Sequence, residues 1–450
     1  MSTTPDYTRD TIVAAATPPG VGGIAVVRLS GDESAQICKS LTGTIPEPRR
    51  ATLVSISDQQ GEALDRGIAL HFPAPNSFTG ESVVELHCHG GPTVCNAIVD
   101  AALDAGARRA EPGEFSRRAF LNEKIDLVQA EAIADLIESG TTQAAKAALR
   151  SLSGAFSAAV LEVQSKLTNL RMHTEAALDF PEEEIDFLSD KALLDKIESC
   201  VASFQSLMKE TRMGRVLRDG FQMVIVGRPN AGKSSLLNLL SGQEAAIVTE
   251  VAGTTRDILR ERISIDGLAV ELVDTAGLRN DPDRIEAEGI RRARDAISQA
   301  DAILWIRDAS EPDDEKISDL EPNIDDAMPV IRVNNKIDLT DRQPGGDDSE
   351  VWMSAKSGEG LDALRRAIRR LAGYRDMGEG AFTARRRHVR SLEQAFSHLQ
   401  TGHEALTSSG AGEILAEELR LAQAALSAIT GEFSSDDLLG KIFSEFCIGK

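Results

Sequence analysis

The sequence predicts an α/β domain with a mostly parallel sheet that is inserted in an all-α helical domain and preceded by an α+β domain. Short β-like segments separated by Gly and Pro turns fill the region from Thr11 to about Gly106. Apolar residues at helical spacing dominate residues 122–218 and return after Tyr374. Between these helical regions, apolar strands such as "FQMVIVG" and "AILWIRD" alternate with helices, which is typical of a mostly parallel sheet.

The predicted domain order follows from these changes of pattern. Helical sequence on both sides of the α/β region indicates one helical body with that region inserted into it. Two separate bundles would give the same pattern, so spacing alone does not decide between them. The expected domains span residues 1–121, 122–218, 219–376 and 377–450.

Length, charge and cysteine content narrow the protein class. The 450 residues contain no apolar run of membrane-spanning length and no secretory signal at the start, so we expect a cytoplasmic protein. The five cysteines are too scattered for a disulfide framework. A net charge of -22 argues against nucleic-acid binding over the whole surface, because phosphate neutralisation drives such binding. The dense basic cluster Arg385–Arg390 is more typical of a solvated helix start than of an RNA site.

A phosphate-binding loop is predicted by "GRPNAGKS", which fits the pattern G-x-x-x-x-G-K-[ST] between a strand and a helix. The glycines allow main-chain N–H groups to approach the phosphates, and the helix start contributes the positive end of its dipole. Lys233 would reach the terminal phosphates, and the Ser234 hydroxyl would ligate Mg²⁺. The expected GTP contacts in this loop are Asn230, Ala231, Gly232, Lys233, Ser234 and Ser235.

Three further motifs indicate that the nucleotide is GTP. In "VDTAG", Asp274 ends a predicted strand and would hold a Mg²⁺-bound water, while the Gly277 N–H would meet the γ-phosphate. In "VNNKIDL", the Asp338 carboxylate matches the N1–H and exocyclic amine of guanine, a donor pair that adenine lacks. "MSAKSG" has the form of a main-chain contact to the guanine oxygen. The expected base contacts are Asn335, Lys336, Asp338, Ser354, Ala355 and Lys356.

The residue after the glycine of "DTAG" leaves the catalytic group open. Many small GTPases carry a glutamine there that orients the attacking water, whereas this chain carries Leu278, which cannot. Asn230 could help to hold a monovalent cation whose charge replaces that of an arginine finger. A carboxylate beyond Leu278 could orient the water. On spacing alone the candidates are Asp281, Asp283, Glu286 and Glu288.

These motifs predict that the α/β domain, residues 219–376, is a P-loop GTPase domain, here called the G domain. Motifs outside the G domain add a family resemblance. The segments "TPPGVGGIAVVRLSG", "FPAPNSFTGESVVELHCHGG", "AIVTEVAGTTRD", "GEFSSDDLLGKIF" and "FCIGK" lie between about Ile12 and Lys450. Together with the GTPase motifs they resemble the MnmE (TrmE) family of bacterial tRNA-modification GTPases, within the TrmE-Era-EngA-like GTPases. The resemblance implies that the N-terminal α+β domain is folate-binding-like and forms dimers.

The resemblance also implies a function. The chain would be a potassium-dependent GTP hydrolase that acts as a homodimer with an FAD-dependent partner, MnmG (GidA), in a hetero-oligomer. Together they would add a carboxymethylaminomethyl or aminomethyl group at C5 of the wobble uridine of certain tRNAs. The one-carbon unit would come from 5,10-methylene- or 5-formyl-tetrahydrofolate.

Individual residues are assigned by the same resemblance, which selects Glu286 as the water-orienting carboxylate. The potassium ligands would be Asn230, Thr249, Val251 and Thr254. The Mg²⁺ ligands would be Ser234 and Thr255. Folate would be bound by Arg28, Glu85, Lys124 and Lys450. The remaining GTP contacts would be Thr249, Gly253, Thr254, Thr255, Asp274, Thr275, Ala276 and Gly277.

Other interpretations stay open on the sequence alone. A ribosome-assembly GTPase switch would share the G-domain motifs, but the chain shows no basic RNA-binding module after them. A third interpretation is a regulatory dimer whose GTP cycle moves the helical body while the partner performs all the chemistry. It differs only in degree from a GTPase that takes part in the modification. "HCH" at His87–His89 invites a metal site, yet alternation along a strand separates Cys88 from the two histidines. The role of Cys447 is open, since both an inert thiol and a nucleophile fit.

Overall fold

The computed structural model describes residues 10–179, 191–243, 260–274, 297, 300–312, 317, 328–373, 381–431, 436–444, 446 and 449. The chain forms two compact units, residues 1–134 with 430–450 and residues 135–429. The predicted last domain, residues 377–450, therefore contributes to both units. In the part of the chain that is described, no helix has both the length and the apolar character of a membrane span.

A mixed sheet forms the centre of the first unit. Its strands are β1 (Ile12–Ala15), β2 (Gly22–Ser30), β3 (Thr52–Ser57), β4 (Ala63–Phe72), β5 (Val83–Gly90) and β6 (Arg108–Arg109). Their spatial order is β3-β4-β5-β2-β1-β6, and only β1 and β6 pair in parallel. One face packs against α1 (Ser34–Thr42) and α2 (Pro92–Asp104), because alternate strand residues such as Val27 and Leu86 are apolar and buried.

The opposite face of this sheet is covered only in part. Helix α3 (Glu114–Leu121) places the Phe115 ring against Ile12 of β1. Farther across the sheet, Leu53 and Ile68 face each other on β3 and β4 but are 63% and 40% exposed. An apolar cross-strand pair is therefore left open on this face.

Helix α3 is fixed to the sheet by a buried arginine. The Arg118 side chain donates hydrogen bonds of 2.9 to 3.0 Å to the carboxylates of Asp10, Glu81 and Glu114. Burial works against ionisation of Glu114, but hydrogen bonds from Arg108 and Arg118 hold the pKa of this carboxyl below its usual value. Because a buried charge without partners is costly, this cluster favours a single position of α3.

Helices from both sides of the second sheet form one body. The remaining helices are α4 (Leu127–Glu138), α5 (Thr142–Leu152), α6 (Ala155–Asp179), α7 (Lys191–Asp219), α8 (Lys233–Gln243), α9 (Leu361–Leu371), α10 (Arg386–Ser409), α11 (Gly412–Thr430) and α12 (Asp436–Ser444). Gln164 of α6 donates a hydrogen bond of 3.0 Å to Ser427 of α11, and Arg171 donates one of 2.7 Å to Gln423. Helix α7 packs along both α6 and α10. These contacts of α6 and α7 with α10 and α11 fit one helical body better than two separate bundles.

The inserted region forms the second sheet. Its strands are β7 (Phe221–Val226), β8 (Arg260–Ile265), β9 (Leu268–Asp274), β10 (Ala302–Asp308), β11 (Val330–Asn335), β12 (Gly345–Gly346) and β13 (Glu350–Trp352). Their order is β12-β13-β11-β10-β7-β9-β8, with β8 and β12 antiparallel to their neighbours. In such sheets ligands bind at the carboxyl ends of the parallel strands, which is where the predicted motifs lie.

The end of the chain belongs to the first unit. Phe443 and Phe446 pack against Leu127 at the start of α4. Gly449 lies against the main chain of Ala15, where any side chain would collide with the Ala15 carbonyl oxygen. Gly449 of the terminal motif therefore lies beside β1.

Candidate functional site

The phosphate loop joins the end of β7 to the start of α8. Gly232 has a φ of 97°, and a Cβ atom there would collide with Nδ2 of Asn335, so only glycine fits. Asn230 also has a left-handed backbone, with a φ of 65°, a conformation that asparagine tolerates better than most residues. The predicted strand–loop–helix context of this motif is present in the structure.

Lys233 lies inside this loop. Its ammonium donates hydrogen bonds of 2.7 Å to the carbonyl oxygens of Gly227 and Arg228, and the residue is 8% exposed. Ser234 and Ser235 follow it and are exposed. The first N–H groups of a helix have no partners within the helix, so this end can bind an anion. The Lys233 ammonium and the exposed residues Ser234 and Ser235 thus all belong to the start of α8.

Asn335 fastens the phosphate loop to the base-binding motifs. The residue ends β11 and is 2% exposed. Its Nδ2 donates a hydrogen bond of 2.9 Å to the Ala231 carbonyl, and its Oδ1 accepts one of 2.8 Å from the Ala355 N–H. The predicted phosphate and base segments therefore line one site at the carboxyl edge of the sheet.

The Asp338 carboxylate is positioned by a serine of the last motif. Asp338 is exposed in the 3-10 turn Ile337–Leu339, and its Oδ1 accepts a hydrogen bond of 2.7 Å from Ser354 Oγ. Ser354 is fully buried, whereas Lys356 is exposed at the rim. The sequence predicts only a main-chain contact for the Ser354 segment, and the structure adds a hydrogen bond from its hydroxyl to Asp338.

Asp308 belongs to the site although no motif predicts it. Its carboxylate accepts a hydrogen bond of 2.6 Å from Lys336 Nζ. Burial works against ionisation, but the bonds from Lys336 and Ser310 hold the pKa of Asp308 below its usual value. Asp308 ends β10 directly beside Asn335 of β11. The sequence feature that could have identified Asp308 is an acidic residue at the end of a buried strand, because the neighbouring strand ends at the base-binding motif.

Part of the predicted site lies outside the described residues. The main chain at Asp274 pairs with Ile225, so the "DTAG" strand ends beside the phosphate loop. Residues outside the described ranges are Thr249, Val251, Gly253, Thr254, Thr255, Thr275, Ala276, Gly277, Leu278, Glu286, Cys447 and Lys450.

Two of the predicted folate residues form an ion pair on the first sheet. Arg28 of β2 and Glu85 of β5 are cross-strand partners, and Nε and Nη2 of Arg28 lie 2.9 and 2.8 Å from Glu85 Oε1. The guanidinium is 5.7 Å from the ring centroids of both Phe78 and Phe115. His87 Nε2 lies 3.3 Å from the other carboxylate oxygen of Glu85.

Lys124 and the chain end lie on the same unit. A Cβ atom on Gly80 would be 3.3 Å from Lys124 Cδ, so the stem of Lys124 packs across the loop that also carries Phe78. Gly449 lies against Ala15 of β1, the neighbour of the strand that carries the predicted folate arginine. The three predicted folate residues that the structure describes, Arg28, Glu85 and Lys124, thus all lie in the first unit.

The "HCH" residues have separate partners. His89 Nδ1 is 2.8 Å from Asp65 Oδ1, while His87 approaches Glu85. Burial raises the pKa of the Cys88 thiol to about 11, which disfavours the thiolate that metals bind. Within the described ranges, no group of three or more His, Cys, Asp or Glu side chains could hold a metal ion.

The comparisons with known proteins agree with these motifs. Two family models match, "MnmE helical domain" over residues 127–447 and "GTP-binding protein TrmE N-terminus" over residues 11–124. The chain is 51% identical to the tRNA modification GTPase MnmE of Yersinia pseudotuberculosis serotype IB (strain PB1/+), over 98% of this chain and 100% of that protein.

This chain belongs to the MnmE family. The MnmE of Stutzerimonas stutzeri (strain A1501) is 52% identical, over 98% of this chain and 99% of that protein. Among solved structures, Aquifex aeolicus Era is similar at 26% identity, over 40% of this chain and 66% of that chain, with a TM-score of 0.25.

In this member of the MnmE family, the basic cluster is not simply solvated. Arg385 donates a hydrogen bond of 2.8 Å to Asp135, and Arg386 donates one of 3.1 Å to Gln222. Arg387 donates to carbonyl groups at the end of α11. The expectation of a solvated helix start is wrong for these three arginines, because each of them connects separate elements of the second unit.

Proposed function

We propose that this member of the MnmE family, a family of tRNA modification GTPases, binds GTP at the carboxyl edge of the second sheet and hydrolyses it during tRNA modification. The observation that carries the proposal is the Asn335 amide, which fastens the phosphate loop to the base-binding segment Ser354–Lys356. A phosphate-binding loop joined in this way to a carboxylate suited to guanine favours GTP over other nucleotides.

When GTP binds, hydrogen bonds within the phosphate loop would be replaced by hydrogen bonds to the nucleotide. Its phosphate oxygens would replace the carbonyls of Gly227 and Arg228 as partners of the Lys233 ammonium. Ser234 and Thr255 would hold Mg²⁺, which neutralises charge on the phosphates when bound. The exposed hydroxyl at the start of α8 suits this role because it stands beside the ammonium without being buried.

Hydrolysis needs a water-orienting group other than Leu278. The Glu286 carboxylate would accept a hydrogen bond from the attacking water and orient it toward the γ-phosphate. A bound K⁺ would supply the positive charge that an arginine finger supplies in other GTPases. Its ligands would be Asn230, Thr249, Val251 and Thr254. Among them, Asn230 is described, and its left-handed backbone holds it at the turn of the phosphate loop.

The Arg28–Glu85 pair favours a reduced folate as the second ligand. The edge of a pterin carries two adjacent N–H donors, which a carboxylate such as Glu85 can accept together. The Phe78 ring beside the pair offers a flat apolar surface. Lys124 and Lys450 would pair with the carboxylates of the folate tail.

An open sheet face supports the proposed homodimer. Leu53 and Ile68 form an exposed apolar pair, and Val21 and Ile24 are 93% and 70% exposed. Apolar surface of this kind marks protein interfaces when it is contiguous. An FAD-dependent MnmG protein would complete the hetero-oligomer and help to bind tRNA, because a chain with a net charge of -22 repels a polyanion on average.

Glu85→Gln is expected to weaken 5-formyl-tetrahydrofolate binding by about tenfold or more, because an amide accepts at only one atom and turns a donor toward the pterin. Calorimetric titration of the full-length protein measures this. The matched control is Glu47→Gln, which removes an exposed carboxylate paired with Arg50. Equal dissociation constants for Glu85→Gln and the wild type would rule out this folate contact.

The proposed function is tested by nucleoside analysis of bulk tRNA from cells that lack the gene. We expect unmodified wobble uridine, restored by the wild-type gene and not by Lys233→Ala. Normal wobble uridines together with unjoined ribosomal subunits would contradict the proposal and favour a ribosome-assembly GTPase.

A further inference from the structure

The chain passes from the helical body into the inserted sheet near Arg218 and returns to the helical body near Arg385. Both of these arginines bind the carboxylate of Asp135. Arg218 lies at the end of α7, just before β7, and Arg385 lies just before α10. Both donate hydrogen bonds to Oδ1 of Asp135, of 2.7 and 2.8 Å, and the Asp135 side chain is 4% exposed. Removing one partner of such a buried cluster leaves charge poorly compensated, so the cluster ties the end of α7 and the start of α10 to Asp135.

From this point, polar contacts lead into the sheet. Arg386, which follows Arg385 in the chain, donates a hydrogen bond of 3.1 Å from Nη2 to Gln222 Oε1. Gln222 Nε2 in turn donates to Glu271 Oε2 at 3.1 Å. Glu271 is 3% exposed, so its carboxylate depends on such partners rather than on water. The path from α10 to Glu271 consists of two consecutive side-chain hydrogen bonds.

The two strands joined by this contact lead to the two phosphate motifs. Gln222 of β7 and Glu271 of β9 are register partners in the parallel pair. β7 continues into the phosphate loop, and β9 ends at Asp274. A shift of β9 along β7 at the nucleotide end must therefore also move Glu271 relative to Gln222. A hydrogen bond of this kind weakens steeply when its atoms separate or its angle closes.

Empty space beside the contact permits such a shift. A cavity of about 50 Å³ lies between the α4–α5 turn, the end of α7 and the β8–β9 hairpin, and Thr141, Arg218, Arg262 and Glu271 contribute to its wall. Close-packed interiors resist displacement of their elements. This side of the hairpin is less closely packed than the core in which Val270 and Leu272 are fully buried, so a shift of β9 meets less resistance here.

We propose that Gln222, Glu271 and Arg386 are positioning residues that couple the nucleotide site to the helical body. A change of nucleotide shifts β9 against β7, which breaks the Gln222–Glu271 bond and lets the Gln222 side chain, together with the Arg386 side chain bonded to it, take a new position. The start of α10 and the adjoining Asp135 cluster then change their arrangement. The inference rests on the proposed function, because its output in the cell is tRNA modification.

Two variants of the full-length protein test the coupling. Arg386→Met and Gln222→Met are expected to keep the KM and kcat for GTP within about twofold while wobble-uridine modification falls by about tenfold or more. GTP hydrolysis is measured on purified protein, and modification in cells that lack the chromosomal gene. The double variant should be no worse than the stronger single one, because both substitutions interrupt the same path.

The matched control is Arg212→Met, which removes an exposed ion pair of 2.8 Å between α7 and α10 and should leave both activities unchanged. Normal modification by Arg386→Met and Gln222→Met would overturn the inference. Parallel loss of hydrolysis, modification and thermal stability would also overturn it, since that is the result of a merely structural role.

A measurement on the unmutated protein separates this inference from the proposed function. Amide hydrogen exchange at residues 386–390 should differ between the GDP-bound protein and the protein bound to a non-hydrolysable GTP analogue. Identical exchange in the two states would contradict the coupling, whether or not the protein modifies tRNA. If the wild-type gene fails to restore modification but exchange differs, the proposed function fails and the coupling stands.

Discussion

Asp338→Asn is expected to raise the KM for GTP by about 100-fold or more and to make the enzyme hydrolyse xanthosine triphosphate. The carboxylate can accept both guanine donors, whereas the amide accepts one and turns its own donor toward the other, which stays unpaired. Xanthine carries a carbonyl in place of the exocyclic amine and can accept from that amide. The bond of Asp338 Oδ1 with Ser354 can persist in the variant, so we expect the loop to keep its position.

Steady-state hydrolysis of both nucleotides by wild type and variant provides the measurement. Asp341→Asn is the matched control, since this exposed acid lies three residues later in the same loop. It should leave the preference for GTP unchanged. An Asp338→Asn variant that still prefers GTP would disprove the base contact, because no other assigned group reads the amine.

The second large effect is expected at Glu286. Glu286→Ala should lower the kcat for GTP hydrolysis by about 100-fold or more while GTP affinity stays nearly intact, because the proposed role of this carboxylate is to orient the attacking water and not to bind the nucleotide. Single-turnover hydrolysis and a fluorescent-nucleotide titration separate the two quantities. The experiment matters because Leu278 offers no polar atom to the water.

The three neighbouring acids are the controls for Glu286. Asp281→Ala, Asp283→Ala and Glu288→Ala remove carboxylates from the same stretch and should hydrolyse GTP at close to the wild-type rate. Unchanged turnover in Glu286→Ala would remove this residue from the mechanism. A large loss in one of the control variants instead would reassign the role to that acid, a choice that spacing alone leaves open.

Local patterns sufficed to predict the phosphate loop and the four parallel strands β7, β9, β10 and β11 of the second sheet. The apolar runs that end in Val226, Asp274, Asp308 and Asn335 are strands in the structure because their residues are buried on both faces. The loop motif specifies its own conformation, since Gly232 cannot be replaced without a collision. These features depend on residues that are close in sequence.

Contacts between distant segments escaped prediction. Asn335 bonds to Ala231 across 104 positions, and Arg385 bonds to Asp135 across 250. Neither pairing leaves a periodic pattern or a fixed spacing, because it exists only after the elements have packed. Charge alone therefore predicts a solvated basic cluster, whereas three of its arginines connect elements inside the second unit.

The central claim is that a monovalent cation and a carboxylate replace the missing glutamine. GTP hydrolysis measured at saturating Mg²⁺ and constant ionic strength, in K⁺ and then in Na⁺, tests it most directly. The account predicts a kcat about tenfold or more higher in K⁺. It also predicts that Asn230→Gly, which keeps the left-handed turn but removes the amide, loses this difference. Equal rates in K⁺ and Na⁺ for the wild-type enzyme would contradict the account.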